Sequence, residues 1–398
     1  MTEALQALHG IRVLDLSRVL AGPWCASLLN DLGAEVIKIE MPGSGDDSRH
    51  FTPHIGGESS YFMQLNHGKK SVTLNLKNPQ GLAILKQLVA SADVLVENFR
   101  PGVTARLGID YPTLQAINPR LVYVSISGFG QQGPLAHKPA YDHIIQAIGG
   151  IMQVTGWADG EPTRVGDAIG DVVAGLYGSW AVLAALLQRG INGKGQHLDV
   201  SMLDTMVTLQ MVSLIQWIGG QPAAGRLGNA HPISAPMDSY RAQDGYIVIA
   251  VANDKLFRQL AEAMEYPALM DDTRFASDPQ RLAHQQELRE VIECWLATKT
   301  ISQAQAILDI AGVPASPVLR LDQILASDYA RQRQLVKQVE HPQAGNIAIV
   351  PQPVKMSGAS GEPALLPPLL GEHTHAVLRD ILGMDDATLA QLHTQGVI

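Results

Sequence analysis

The chain has 398 residues, of which 46% are hydrophobic and 17% charged, a length and composition that suit two to three folded domains and exclude a disordered tail. Its 38 acidic and 29 basic residues give a formal charge of −9 with no long basic run. A general nucleic-acid or anionic-membrane partner is therefore not expected, and any anionic ligand must be held locally. Cys25 and Cys294 are the only cysteines and sit in no CxxC or Cys/His cluster. Neither a disulfide framework nor a metal site is expected, and a cytoplasmic location fits.

The opening MTEALQALHGIRVLDL lacks a basic region followed by an apolar stretch and a small-residue cleavage site, so no signal peptide is expected. The run IRVLDL (11–16) then reads as a strand, GPWCASLLNDLG (22–33) as a helix closed by Gly33, and EVIKIE (35–40) as the next strand. SVTLNL (71–76), a helix opening at Asn78-Pro79, DVLVEN (93–98) and RLVYVSIS (120–127) repeat this rhythm. Such an order predicts an α/β fold with a mostly parallel, Rossmann-like sheet and helices on both faces.

After Asp171 the pattern turns helical to about residue 220, interrupted by a strand in GQHLDVSM (195–202). Residues 172–188 and 205–225 are uncharged. The first carries Gly175, Gly178 and Ser179, which suit close packing inside protein, and the second carries a polar stripe of Thr205, Thr208, Gln210, Ser213 and Gln216. Neither is read as a membrane span. GGQPAAGRLGNAHP (219–232) is rich in Gly, Ala and Pro and reads as a linker. Beyond it, the strand YIVIAV (246–251), helices from Lys255 and from about Pro279, and a helix at 301–311 describe a smaller α+β domain. Two Pro-rich loops and helices at 373–383 and 386–394 complete the chain.

Gly128-Phe129-Gly130-Gln131-Gln132-Gly133 satisfies the dinucleotide pattern GxGxxG after a strand. Pro134 and LAHKPAYD follow instead of an amphipathic helix, and no acidic residue lies near 149–151. A nicotinamide-dependent dehydrogenase is thus the alternative from another class, and a glycine-rich turn beside a ligand the plainer reading. The sequence has no GxSxG, Walker A or HExxH motif.

The chemistry that remains is carboxylate chemistry. Asp171, between Gly170 and the long apolar segment, has the position of a helix cap, where the dipole and free N–H groups favour the ionised form. The same position suits a dry, oriented nucleophile. Asp167, four residues earlier, competes for that role, and spacing does not separate the two. Tyr141-Asp142, followed by His143, offers a phenol and a second carboxylate. Lys69, Lys70, Arg100 and Arg106 flank strand ends, where cations can hold phosphates; taken singly, each reads more readily as a solvated surface charge. Asn98-Phe99 adds an amide and an aromatic face suited to an adenine or a pantetheine arm.

In order along the chain, VLDLSRVLAGPWCASLLNDLGAEVIKIEMPGSGDDSR, NHGKKSVTLNLKNPQG, ADVLVENFRPG, SGFGQQGP, PAYD, AIGD and GKGQHLDVSMLD resemble the family III CoA-transferases. The GRLGNAHP, DGYIVIAVANDKLF and GVPASPV blocks extend the likeness over essentially the whole chain. The resemblance implies that Asp171 is the nucleophile. It implies coenzyme A contacts at Val19, Leu20 and Ala21; at Leu74, Asn75, Leu76 and Lys77; at Asn98, Phe99, Arg100 and Arg106; and at Lys138, Tyr141 and Asp142. Coenzyme A enters as part of the substrate, with no permanently bound cofactor.

The implied activity moves CoA from a short acyl-CoA, acetyl-CoA or succinyl-CoA, to a small carboxylic acid such as the dicarboxylate oxalate. Racemases of the superfamily carry His-Asp where this chain has Tyr141-Asp142, which disfavours a 2-methylacyl-CoA racemase on the same scaffold. A non-catalytic CoA-binding protein is a further alternative. NAHPISAPMDSY lacks the glycine run of formyl-CoA transferases, and Leu20 stands where those enzymes often carry Gln. The resemblance further implies an interlocked homodimer of ring-shaped chains. Each would have a discontinuous CoA-binding domain (1–218 and 325–398), linkers at 219–232 and 312–324, and a small α+β domain at 233–311.

Overall fold

The β-branched runs of the first half form one six-stranded sheet in the computed structural model, which describes residues 6–222, 225–358 and 363–398. Residues 1–5 of the N-terminal segment and 223–224 of the expected linker lie outside the described residues. The strands are β1 (Arg12–Asp15), β2 (Glu35–Glu40), β3 (Lys70–Thr73), β4 (Val94–Glu97), β5 (Val122–Ser127) and β6 (His197–Ser201). Their order is β3-β2-β1-β4-β5-β6, and every pairing is parallel. Parallel neighbours need crossover connections, which is why helical segments alternate with the strands. β4 and β5 are buried along their whole length, as their continuous apolar runs require.

The order of strands has a functional consequence. The chain winds outward from β1 through β2 to β3, then returns to the other side of β1 and winds through β4, β5 and β6. The carboxyl ends of β1 and β4 therefore flank the switch point, where the connecting segments diverge and leave a crevice.

Helix α1 (Ala21–Asn30) leaves the crevice directly after β1, and α2 (Pro79–Val89) opens with Asn78 accepting the Gln80 N–H at 2.9 Å. After β5 come α3 (Asp142–Ile148), the 24-residue α4 (Ile169–Asn192) and, after β6, α5 (Met202–Leu209). By length and apolar composition α4 would suffice to cross a membrane. Its small residues instead pack on α1: a Cβ on Gly175 would lie 2.6 Å from the Ala21 carbonyl oxygen, and one on Gly178 3.1 Å from Cys25 Sγ. The uncharged 205–225 segment, expected as one helix, is broken at Gln210 into α5 and a helix at Met211–Ile218. Gln210 Nε2 donates to the Gly149 and Met206 carbonyls at 2.6 and 3.1 Å, which stabilises the break.

The described chain divides into two compact units. The larger comprises residues 1–150, 165–210 and 330–398. Its core joins Leu14, Ile37, Leu85, Leu95 and Tyr123 to Val377, Leu378, Leu389 and Leu392 of the C-terminal helices Thr374–Leu382 and Asp386–Thr394. A hairpin at 337–349, not foreseen from the sequence, also belongs to it. The smaller unit comprises 151–164 and 211–329, so the helix at 211–218 groups with it. Its antiparallel sheet has the order β9-β8-β7, formed by β7 (Met237–Ala242), β8 (Gly245–Ala250) and β9 (Ala315–Pro317). Ile247, Ile249, Phe257, Leu260, Leu288 and Ile292 lie in its own core.

Candidate active site

Two loops form the crevice wall. The segment 17–21 leaves β1, and Asn98–Arg100 leaves β4. Asn98 ties them together, since its Oδ1 accepts the Arg18 N–H at 2.8 Å and its Nδ2 donates to the Arg18 carbonyl at 2.7 Å. An amide side chain can satisfy both main-chain groups of one residue in this way.

On one side of this clasp lies a cavity of about 580 Å³. Leu74, Leu76, Phe99, Val103 and Leu107 give it apolar walls, while Arg18, Lys77 and Arg106 supply cations. Arg18 pairs with Asp47 at 3.1 Å and lies 5.8 Å from the Phe99 ring centroid. Lys77 and Arg106 have no ion-pair partner among the described residues. Apolar walls with two cations that lack an ion-pair partner among the described residues suit a ligand with a flat aromatic body and phosphate groups.

Arg18, Asp47 and Phe99 also line a second cavity of about 210 Å³. Around it stand Val19, Leu20, Ala21, Asn98, Arg100, Lys138, Tyr141 and Asp171. Of the fourteen contact residues expected from the resemblance, two line neither cavity. Asn75 accepts the Lys77 N–H at 3.1 Å and donates its own N–H to the Val397 carbonyl at 2.8 Å, joining the turn after β3 to the C-terminus. Asp142 is buried, its Oδ1 accepting the Gly170 N–H and its Oδ2 the Gln146 amide, both at 2.8 Å.

The two competing aspartates fall in different places. Asp171 is in the first turn of α4 and faces the second cavity. Asp167 is exposed, and its carboxylate accepts the Ala168 N–H at 2.7 Å. The helix start was expected to hold Asp171 ionised. Burial instead pushes its carboxyl up to about 7, and the neighbouring Asp142 charge adds to the rise. Desolvation and a like charge outweigh the partial charge of the helix end.

Lys69 is neither the solvated surface charge that its sequence context favoured nor a cation free for phosphates. Lys69 is buried and donates to Asp15 at 2.8 Å, to the Pro23 carbonyl at 2.9 Å and to Asn66 at 2.9 Å, so all three of its protons are engaged. Lys70 pairs with Glu35 at 2.6 Å. Sequence reasoning missed Arg18, Asp46 and Asp47, which line the larger cavity. Their position just after β1 and β2 was the available signal, because ligands in open parallel sheets gather at strand carboxyl ends. The glycine-rich turn carries no helix: Gly130 and Gly133 have φ of +80° and +101°, and Gln131 donates its N–H to Asp199 at 2.9 Å. No cluster of metal-ligating side chains occurs among the described residues.

Residues 8–374 match the model of CoA-transferase family III. The chain belongs to that family. This family III chain is 36% identical over 397 residues to succinyl-CoA:glutarate CoA-transferase of Mus musculus, covering 100% of the chain and 91% of the relative. It is 43% identical over 365 residues to acetyl-CoA:oxalate CoA-transferase of Acetobacter aceti, covering 90% and 92% respectively. The crystal structure of a CAIB/BAIF family protein from Brucella suis superposes with a TM-score of 0.84 at 36% identity, covering 95% of the family III chain and 100% of its own.

Proposed function

We propose that the protein transfers CoA from a short acyl-CoA, acetyl-CoA or succinyl-CoA, to a small dicarboxylate such as oxalate, with Asp171 as covalent nucleophile. The observation that carries this reading is a half-buried carboxylate in a cavity that shares Arg18, Asp47 and Phe99 with a larger, cation-bearing one. The larger cavity suits the nucleotide end of CoA, with Lys77 and Arg106 toward its phosphates. Asn98, Phe99 and Arg100 then guide the pantetheine arm toward Asp171. The names of the relatives from mouse and Acetobacter aceti, a glutarate and an oxalate CoA-transferase, support dicarboxylate acceptors.

In the reaction, an Asp171 oxygen attacks the acyl-CoA carbonyl carbon. The C–S bond breaks, CoA leaves as thiolate, and an aspartyl-acyl anhydride remains. The thiolate then attacks Asp171 Cγ and expels the donor acid as carboxylate, leaving an aspartyl-CoA thioester. The acceptor carboxylate attacks Cγ in turn, releasing the thiolate and forming a second anhydride. Attack of the thiolate on the acceptor's acyl carbon gives the new acyl-CoA and restores the Asp171 carboxylate. No net proton is consumed, and each exchange joins species of similar energy.

α4 presents Val172, Leu176, Trp180, Leu187 and Ile191 exposed at helical spacing. This unpartnered apolar stripe supports a homodimer. Asp171→Ala is expected to lower turnover by at least ~10³-fold while CoA binding persists. Mass spectrometry after acyl-CoA addition is expected to find CoA, or hydroxylamine when present, on the peptide containing Asp171. Retained turnover or an unlabelled peptide refutes the mechanism, and deuterium wash-in at the α-carbon of a 2-methylacyl-CoA identifies a racemase instead.

A further inference from the structure

Val19 lines the cavity of Asp171 with φ of +68°. For a β-branched residue this left-handed backbone is strained, because Cβ crowds the neighbouring carbonyl. Such a conformation persists only where its surroundings over-determine it, and such residues gather at functional sites.

What over-determines Val19 is a buried quartet of charges. Asp15, Lys38, Asp46 and Lys69 are at most 2% exposed. Asp46 Oδ1 accepts the Val19 N–H at 3.1 Å, and its Oδ2 pairs with Lys38 Nζ at 2.8 Å. Lys38 donates to the Ser17 carbonyl at 2.9 Å, and Asp15 accepts both the Ser17 N–H, at 3.0 Å, and the Ser17 hydroxyl. Lys69 bridges Asp15, at 2.8 Å, to the Pro23 carbonyl, at 2.9 Å. With Asn98 gripping Arg18 on both main-chain groups, the backbone from 17 to 19 and again at 23 is held by side chains from β1, β2 and the segments after β2, before β3 and after β4. Two lysines face two aspartates, so the charges balance. Glu40 accepts the Asp46 N–H at 3.0 Å and is itself paired with Arg49 at 2.7 Å.

Burying four charges carries a large desolvation cost, which direct pairing offsets only where geometry is good. An apolar core would serve stability as well. What it cannot do is grip individual N–H and C=O groups. We infer that Asp46 is a positioning residue for CoA transfer: braced by Lys38, it holds Val19 in the left-handed conformation that shapes the wall of the cavity it shares with Asp171. This inference rests on the proposed reaction.

The test is a double-mutant cycle between Asp46 and Val19. Glycine adopts a left-handed backbone without strain, so Val19→Gly needs no clamp. Asp46→Ala is expected to lower kcat/KM for acyl-CoA about 30-fold, chiefly in kcat, in the otherwise natural chain, but less than about 5-fold in the Val19→Gly background. Equal losses in both backgrounds overturn the inference, since a residue needed only for folding does not couple to Val19. If Asp46→Ala fails to fold, Asp46→Asn, which keeps an acceptor for Val19 but loses the ion pair that braces it, is carried through the same cycle: a smaller loss that again shrinks in the Val19→Gly background is expected, and equal losses in both backgrounds overturn the inference. A crystal structure of the Asp46→Ala variant reads the clamp without any assay: Val19 is expected to leave the left-handed region, and its persistence there overturns the inference even if the enzyme proves to transfer no CoA.

Discussion

Asp142 accepts the N–H of Gly170 at 2.8 Å, one residue before Asp171. Its buried charge thereby serves two ends, orienting the first turn of α4 and, after burial itself, helping to raise the Asp171 carboxyl to about 7. A carboxylate so poised is ionised over part of the neutral range and poorly solvated there, which suits the proposed attack on a thioester.

The pH profile follows from that pair. In the proposed reaction only ionised Asp171 attacks, so kcat/KM is expected to rise with pH and level off above about 7. Asp142→Asn removes the like charge, so the acid limb is expected to move down by about 0.5 to 1 pH unit. An unmoved limb shows that Asp142 does not act on Asp171 through its charge.

In the proposed site Lys77 and Arg106 bear on binding rather than chemistry. Arg106→Gln and Lys77→Gln are each expected to raise KM for acyl-CoA about 5- to 10-fold with kcat nearly unchanged, and the effect shrinks in high salt. A fall in kcat at constant KM contradicts the placement of the phosphates in the larger cavity.

Glu97 predicts a pH-dependent stability. Burial pushes its carboxyl up to about 7, with Asp199 adding to the rise, although Ser125 and the Phe99 N–H, at 2.8 Å, both donate to it. The native protein therefore keeps a proton that the unfolded chain releases at ordinary carboxylate pH, and stability falls as pH rises from the unfolded value toward 7. Asp171 acts in the same direction. Thermal melts of Glu97→Gln are expected to show a shallower decline over this window than the natural protein. Parallel curves refute the assignment to Glu97.

Close approach of α1 and α4 depends on Gly175. A Cβ there meets the Ala21 carbonyl oxygen at 2.6 Å and Trp24 Cδ1 at 2.9 Å, and a backbone oxygen cannot swing aside. Gly175→Ala is expected to cost about 1–3 kcal/mol in urea unfolding and to lower turnover, because α1 begins at the cavity wall. An unchanged melting curve contradicts the helix contact.

Much of the site was legible because it lies near strand ends. Val19, Leu20 and Ala21 follow β1, and Asn98, Phe99 and Arg100 follow β4, so a sequence that reveals its strands also reveals the residues at the switch point. Lys69 was not legible. It stands at the amino end of β3, and its donors are engaged by Asn66 nearby and by Asp15 and the Pro23 carbonyl, 54 and 46 positions away along the chain.

Sequence alone determined the alternation of strands and helices, the parallel sheet, the absence of hydrolase and P-loop motifs, and the resemblance to CoA-transferases. These rest on local apolar periodicity and on short ordered blocks, which a linear text preserves. Tertiary structure alone decided that Asp171 rather than Asp167 faces the cavity beside Val19 and Asn98, that Asp142 lies close to it, and that Lys77 and Arg106 have no ion-pair partner among the described residues while Lys38 and Lys69 are buried in ion pairs. The reason is physical: a side chain's burial and charge state depend on groups brought close by folding, and the field at Asp171 is shaped by Asp142, 29 positions away along the chain.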